Sequence, residues 1–253
     1  DFPVFEKEKN SNTINITAQN LKSLISKTSF AMGNQDWRHY LNGLYITVED
    51  TSITSVATDA HRLAMSTLGI NEAAPEIITG IVPRKSINEI GKLVGDSSEN
   101  ILLQIGSSSI NVDISGTTFS SKLIEGKFPD YQQVIPSGDS STLTINKKSL
   151  SESLSRVSVL SSEKFRGVRI ITSENSINIS ANNPEKEQAE ESVDCSYKGE
   201  PMDIAFNVNY LQEILSSIDE TNVDIHFFGS DKSCLITNPG SDSYKYVVMP
   251  LLI

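Results

Sequence analysis

The feature that most constrains this chain is that it is written twice. Residues 14 to 25, INITAQNLKSLI, match residues 143 to 154, LTINKKSLSESL, in their order of strand, cap and helix, at an offset of 129. GLYITVE, beginning at Gly43, aligns with GVRIITSE, beginning at Gly167, at an offset of 124, and each runs on into a second alternating strand, SITSVATD and SINISANN. VPRKSINEIGKLV then lines up with FNVNYLQEILSSI at the same offset, pairing Pro83 with Asn207 and Ile87 with Leu211. Finally ILLQIGSSSINVDI aligns with VDIHFFGSDKSCLI through Gly106 and Gly229, with a turn between two strands in each. Self-similarity of this kind means that each copy is one folding unit. The spacing predicts two tandem domains, residues 1–131 and 132–253, each able to bury its own core.

Within each copy the order is strand, helix, several strands, helix, several strands. Four short amphipathic helices are predicted at 18–32, 84–94, 146–160 and 207–218, from apolar residues at three and four spacing such as Leu21, Leu24 and Ile25, or Leu211, Ile214, Leu215 and Ile218. Thr17, Asn146 and Asn207 are expected N-caps. The remaining Ser, Thr, Ile and Val alternations, cut by Gly, Asn or Asp, read as hairpin strands. The fold class is therefore α+β with more strand than helix.

The formal charge of −11, from 21 basic and 32 acidic residues, is the wrong sign for a free-standing nucleic-acid binder. Its distribution says more. Over the four predicted helices Lys22, Lys27, Arg84, Lys85, Lys92, Lys147, Lys148 and Arg156 oppose only Glu89, Glu152 and Glu213, a surplus of +5 that leaves −16 elsewhere. Helices sharing one face would attract a polyanion to that face alone, although exposed lysines are also ordinary solubilising residues. No apolar run approaches the ~20 residues that span a bilayer. Two cysteines, Cys195 and Cys234, make neither a disulfide framework nor a zinc cluster and point to a reducing, cytoplasmic setting.

The common phosphate-loop, dinucleotide, zinc-protease, nucleophile-elbow and EF-hand signatures do not occur in the sequence. Among the three histidines only His61 sits in a polar cluster, Thr58-Asp59-Ala60-His61-Arg62. Asp59 and His61 could serve a hydrolase as an acid–base pair, but in an extended strand they are mere neighbours, and Arg62 more simply neutralises Asp59. His226 and Cys234 fall short of a metal site, and no cofactor is expected. The triplets at Asn15 and Asn178 lie in predicted strands, and the acidic stretch Glu185 to Glu191 suits a solvated loop or strand edge. A generic β-rich interaction protein is a third possibility.

Both ends carry information. Phe128-Pro129 precedes the second copy and Phe2-Pro3 stands in the same place before the first, which suggests that a further module lies upstream. The tail from Tyr246 to Ile253 is apolar to its last residue, where termini are usually polar and frayed. Tyr246 to Met249 read as a buried last strand stopped by Pro250, leaving Leu251 to Ile253 for something apolar to dock on.

The segments TDAHRLAMS (58–66), VPRK (82–85), GKFPDYQQVIP (126–136), EKFRGVRI (163–170), ANNPEKEQAEE (181–191) and YVVMPL (246–251) together resemble the bacterial sliding clamps, the beta subunits of DNA polymerase III. The resemblance spans nearly the whole chain and matches the second and third of that family's three domains, with the first absent. It implies a non-enzymatic DNA-replication processivity factor, a homodimeric ring around duplex DNA with helices lining the hole and antiparallel sheets outside. Topological tethering needs only loose, sequence-independent phosphate contacts, so the negative total charge ceases to matter. By resemblance Gln35, His39 and Tyr40 of NQDWRHYLNG, with Arg84 and Lys85 and the other helix cations, face DNA, while Val159 and Leu160 belong to the subunit interface. The 253-residue chain alone is then expected to be monomeric and to hold DNA weakly.

The resemblance also implies a pocket between the two domains for peptide motifs of polymerase, clamp-loader and repair partners. Carried over, it comprises Leu41, Thr58, Ala60, His61, Arg62, Leu63, Pro129, Val134, Phe165, Asn207, Tyr210, Ser233, Val247, Val248, Met249, Pro250 and Leu251. Leu41 equally suits packing against a sheet. Ala60 stands where the family often has Gly, and Gln133 and Leu252 where Arg is common, which bears on the details of partner motifs.

Overall fold

The computed structural model describes residues 12–96, 98–162 and 166–251, so Phe2-Pro3, Phe165 and Leu252 lie outside the described residues. Its contacts divide the chain into two compact units, Asp1–Pro129 and Asp130–Ile253.

In the first unit the order is β1 (Asn12–Thr17), α1 (Ala18–Thr28), β2 (Gly43–Glu49), β3 (Ser52–Thr58), β4 (Arg62–Gly69), β5 (Ile78–Pro83), α2 (Arg84–Leu93), β6 (Asn100–Ile105), β7 (Ser109–Ile114) and β8 (Thr117–Lys122). All pairings are antiparallel, giving one sheet ordered β1-β6-β7-β8 and a second run ordered β4-β3-β2-β5. The second unit runs β9 (Ser141–Asn146), α3 (Lys147–Ser158), β10 (Gly167–Ser173), β11 (Ser176–Asn182), β12 (Gln188–Asp194), β13 (Ser196–Tyr197), β14 (Asp203–Asn207), α4 (Val208–Ser217), β15 (Asn222–Phe227), β16 (Cys234–Asn238) and β17 (Ser241–Val248). Its strands pair in the same pattern, β9-β15-β16-β17 and β12-β11-β10-β14, with β13 added outside β9. The α+β reading and the repeat both hold at the level of strand order.

The cores repeat as well. In α1 the buried positions are Ala18, Leu21, Leu24, Ile25 and Thr28. In α3 they are Leu150, Ser153, Leu154 and Val157, the same positions shifted by 129. Each of these helices packs on two adjacent strands, α1 on β3 and β4, α3 on β11 and β12, and against the other helix of its unit. The caps are where the sequence places them: the side chains of Thr17, Asn146 and Asn207 accept from the backbone N–H of Asn20, Ser149 and Asn209.

Three local expectations need correction. The first helix was predicted to reach residue 32 but ends at Thr28, followed by a single 3-10 turn, Ser29–Ala31. The buried Thr28 hydroxyl turns back onto the Leu24 carbonyl at 2.6 Å and meets Ser55 Oγ at 3.2 Å, a local competitor of helix continuation. Asp59, Ala60 and His61 are not in an extended strand: they form the turn between β3 and β4, with Ala60 at φ 74°. Lastly, Gly106 and Gly229 mark equivalent turns but not equivalent residues. The buried faces of β6 and β15 match as Ile101 with Val223 and Ile105 with Phe227, because the second copy's turn is longer.

Candidate functional site

The helix cations do not share one fate. Lys85 and Lys148 are exposed, Lys148 with only a 3.8 Å approach to Glu152. Lys22 pairs with Asp96 at 2.7 Å and Lys92 with Glu89 at 2.9 Å. Arg156 forms a two-pronged pair with Glu191, at 2.5 and 2.7 Å, which holds the carboxyl of Glu191 below its ordinary range. Lys27 is half-buried at the end of α1, where a cation also suits the helix dipole. Two of the eight are committed to the fold. Lys147 donates its Nζ to the carbonyl of Ile218, at the end of α4. Arg84 donates Nη1 to the carbonyls of Met32 and Gly33, at 2.8 and 3.2 Å.

Those carbonyls open the loop that carries Gln35, His39 and Tyr40. Gly33 N donates to the Leu41 carbonyl at 2.8 Å and closes its base. The Asn42 amide brackets Asp36, accepting from its N–H at 2.9 Å and donating to its carbonyl at 2.7 Å. The Asp36 carboxylate accepts from the backbone N–H, Nε and Nη2 of Arg38 at 2.8, 3.0 and 2.9 Å. That hydrogen bonding holds the Asp36 carboxyl down at about 2. The result places Gln35 and His39 in solvent, Tyr40 half-exposed and Leu41 buried against the unit. Between the two bracing residues Trp37 stands 82% exposed, with the Arg38 guanidinium 5.7 Å from its ring centroid. Nothing in the sequence singles out Trp37, since the exposure of a tryptophan cannot be read from its neighbours along the chain.

The Thr58–Leu63 cluster is a tightly bonded turn. Thr58 Oγ1 donates to the Arg62 carbonyl at 2.6 Å and accepts from Ala60 N at 3.1 Å. Asp59 Oδ1 accepts from the backbone N–H groups of His61 and Arg62 at 3.0 and 3.1 Å, and Oδ2 from Arg62 Nε at 3.1 Å. Arg62, 8% exposed, also donates Nη2 to the Phe30 carbonyl at 2.8 Å and lies 5.3 Å from the Phe30 ring centroid. Asp59 is thus spent on backbone and Arg62, while the exposed His61 ring has no bond to it, which removes the geometry a hydrolytic dyad requires.

In the second unit Val134 ends the 3-10 turn Tyr131–Val134 with 40% of its surface exposed, following the exposed Pro129 of the first unit. Val247 and Val248 are buried in β17, and Met249 just beyond it is 41% exposed. Past Pro250, Leu251 N donates to the Ala205 carbonyl at 2.8 Å, so the apolar tail is tied down to its last described residue. Asn207 caps α4, Tyr210 is half-exposed on that helix, and Ser233 immediately precedes β16. Val159 is 77% exposed and Leu160 half-buried just past α3.

Among the described residues no three His, Cys, Asp or Glu side chains gather to hold a metal. His226 bridges Thr142 and Thr237 across strands at 3.0 and 2.9 Å, and burial pushes the Cys234 thiol up to about 12. Nor is any described helix long and apolar enough to cross a membrane.

Comparison with known proteins adds a consistent set of matches. The family model for the central domain of the DNA polymerase III beta subunit matches residues 15–130, and that for its C-terminal domain matches residues 132–252. The beta sliding clamp of Vibrio cholerae is 42% identical over 253 residues, covering 99% of this chain and 68% of that protein. That of Escherichia coli is 38% identical over 251 residues, again covering 99% and 68%. Among solved structures, a DNA polymerase sliding clamp of Pseudomonas aeruginosa with ligand superposes with TM-score 0.97 at 40% identity, covering 100% of this chain and 69% of that one. A clamp from the same organism bound to griselimycin gives TM-score 0.96 at 39% identity, covering 100% and 68%.

Proposed function

This chain belongs to the bacterial beta sliding clamp family, the beta subunits of DNA polymerase III and processivity factors without catalytic activity, and from that premise we propose which of its surfaces meet DNA and which meet partner proteins. The carrying observation is that the likeness runs unbroken through both units, helices included.

The DNA-facing side of each unit is its helical one, where Lys85 and the ion-paired Lys22 and Lys92 in the first unit, and Lys148 and the ion-paired Arg156 in the second, supply positive charge. Ion pairs of this exposed kind contribute little, so a phosphate can replace the carboxylate at small cost. Arg84 and Lys147 act instead as positioning residues, one holding the loop at 32–42 and the other the end of α4. In the intact protein a homodimeric ring, with Val159 and Leu160 at the subunit contact, encircles the duplex in the cytoplasm. The phosphate contacts are sequence-independent and weaken with salt.

On the second unit, partner peptides are held by apolar side chains, Val134, Val247 and Met249. The exposed Val134 and Met249 are the ones that a peptide's aliphatic and aromatic groups would newly cover, each large buried group contributing about 1.5–3 kcal/mol before ordering costs. Calorimetry with a Gln-x-x-Leu-Phe peptide tests the assignment. Met249→Ala is expected to weaken binding roughly tenfold, about 1.4 kcal/mol, with little salt dependence. Lys22→Ala is expected to leave the peptide untouched and to reduce DNA association. No peptide binding by the unsubstituted chain, or equal weakening by the two substitutions, would displace the pocket from these residues.

A further inference from the structure

We propose that Trp37 is a stacking platform for an unpaired nucleobase, a contact distinct from the phosphate contacts of the helices; it rests on the reading that this face meets DNA. The indole is the chain's one tryptophan, and it is 82% exposed on a loop that is anything but slack. Its two neighbours, Asp36 and Arg38, are locked to each other, and Asp36 is locked in turn to Asn42. A side chain presented this way loses little conformational freedom on binding, the condition under which a single aromatic contact yields useful affinity.

The surroundings select the occupant. A lone exposed indole makes a poor protein hot spot, which needs a cluster of apolar neighbours to exclude water. Here its neighbours along the chain, Asn34, Gln35 and His39, are polar and exposed, and the Arg38 guanidinium lies 5.7 Å from the ring centroid. Hydrogen-bond donors beside an aromatic face suit a nucleotide, whose base stacks while its backbone accepts. In duplex DNA each base already has both faces covered by its neighbours, so the face Trp37 needs is offered by an unpaired base, as on a single strand beside a primer end.

Because Trp37 is the only tryptophan, its fluorescence reports on this site alone. The full chain would be titrated at low salt with a fluorescein-labelled oligo-dT strand and with a blunt duplex, following dye anisotropy for binding and, with unlabelled DNA, indole emission for stacking. Quenching by the single strand and not by the duplex is expected. Trp37→Ala is expected to weaken single-strand binding about tenfold and leave duplex binding unchanged, with Trp37→Phe recovering part of the loss. Anisotropy that rises without quenching would overturn the stacking role while leaving the DNA-facing side in place. Absence of binding to either DNA would overturn both readings. Equal quenching by the blunt duplex would overturn the preference for an unpaired base. A blue shift that grows with protein concentration in the absence of DNA would make Trp37 a self-association contact and overturn the proposal.

Discussion

Apart from the added strand β13 the two units repeat each other in strand order, and their first helix-to-strand connections differ where the offset between them slips from 129 to 124. The helices α1 and α3 reach their last buried residues at Thr28 and Val157, and the following strands begin at Gly43 and Gly167, so the first unit's connection is five residues longer. Those extra residues lie in the loop that Arg84, Asn42 and Asp36 brace. The core on either side is unchanged, because lengthening a surface connection adds only slowly to its closure entropy whereas altering a packed face is felt at once. Surface connections are accordingly where one copy of a repeat can acquire chemistry that the other lacks.

Equivalent positions in the two units allow the comparison to be broken deliberately. The largest difference is expected at the paired glycines. A Cβ on Gly43 would lie 2.6 Å from the Val82 carbonyl oxygen, 2.9 Å from Ile81 Cγ2 and 3.0 Å from Ile124 Cδ1, whereas one on Gly167 would meet only Leu251 Cδ1 at 3.4 Å. The Val82 carbonyl belongs to strand β5, which pairs with β2, and cannot retreat without disturbing that pairing. Gly43→Ala should therefore cost about 2–3 kcal/mol in denaturant unfolding, and Gly167→Ala no more than about 0.5 kcal/mol. Equal costs would show that the strand joint is equally open in both copies.

A smaller contrast lies at the helix starts. Asn207 caps α4 with its side chain, while its counterpart α2 begins after Pro83 with no side-chain cap. Removal of the cap in Asn207→Ala should cost about 1 kcal/mol. Pro83→Ala has no cap to lose and should cost about 0.5 kcal/mol or less, through the freedom returned to the unfolded chain. Thermal unfolding of the two variants side by side would sharpen or erase the distinction.

The smallest effect is local to the first unit's extra loop. The side-chain hydrogen bond from Arg38, and then its backbone N–H, lower the Asp36 carboxyl from 3.8 to about 2. A folded value below the unfolded one means that the brace is fully present above pH 3.8 and is lost as pH falls toward 2. Trp37 emission should thus hold steady from neutral pH down to about 4 and change only below it. A transition that is complete well above pH 4 would show that a group other than Asp36 governs the loop.

Much of this could be read in advance because it is local. Thr17, Asn146 and Asn207 cap helices by bonding to residues two or three positions on, and period-two and period-3.6 patterns expose the buried faces directly. The same locality explains the errors. The Thr28 hydroxyl that competes with continuation of α1 is also met by Ser55, 27 residues away, and the β3–β4 turn hides in a sequence whose polar residues continue the strand alternation. The helix cations were legible as a group, but their partners were not: Lys22 finds Asp96 and Arg156 finds Glu191 across 74 and 35 residues.

By itself, then, the sequence determined that there are two copies of one α+β unit, the order of their elements and the sides that face inward, since each follows from spacing and short-range hydrogen bonding. Only the tertiary structure decided which charges remain available and which are consumed. Arg84 looks like its fellow cations until Met32 and Gly33 are brought beneath it, and nothing along the chain marks Trp37 as a residue that the loop leaves in solvent. The physical reason is that desolvation and ion pairing depend on what long-range folding places within a few ångströms, which no pattern along the chain records.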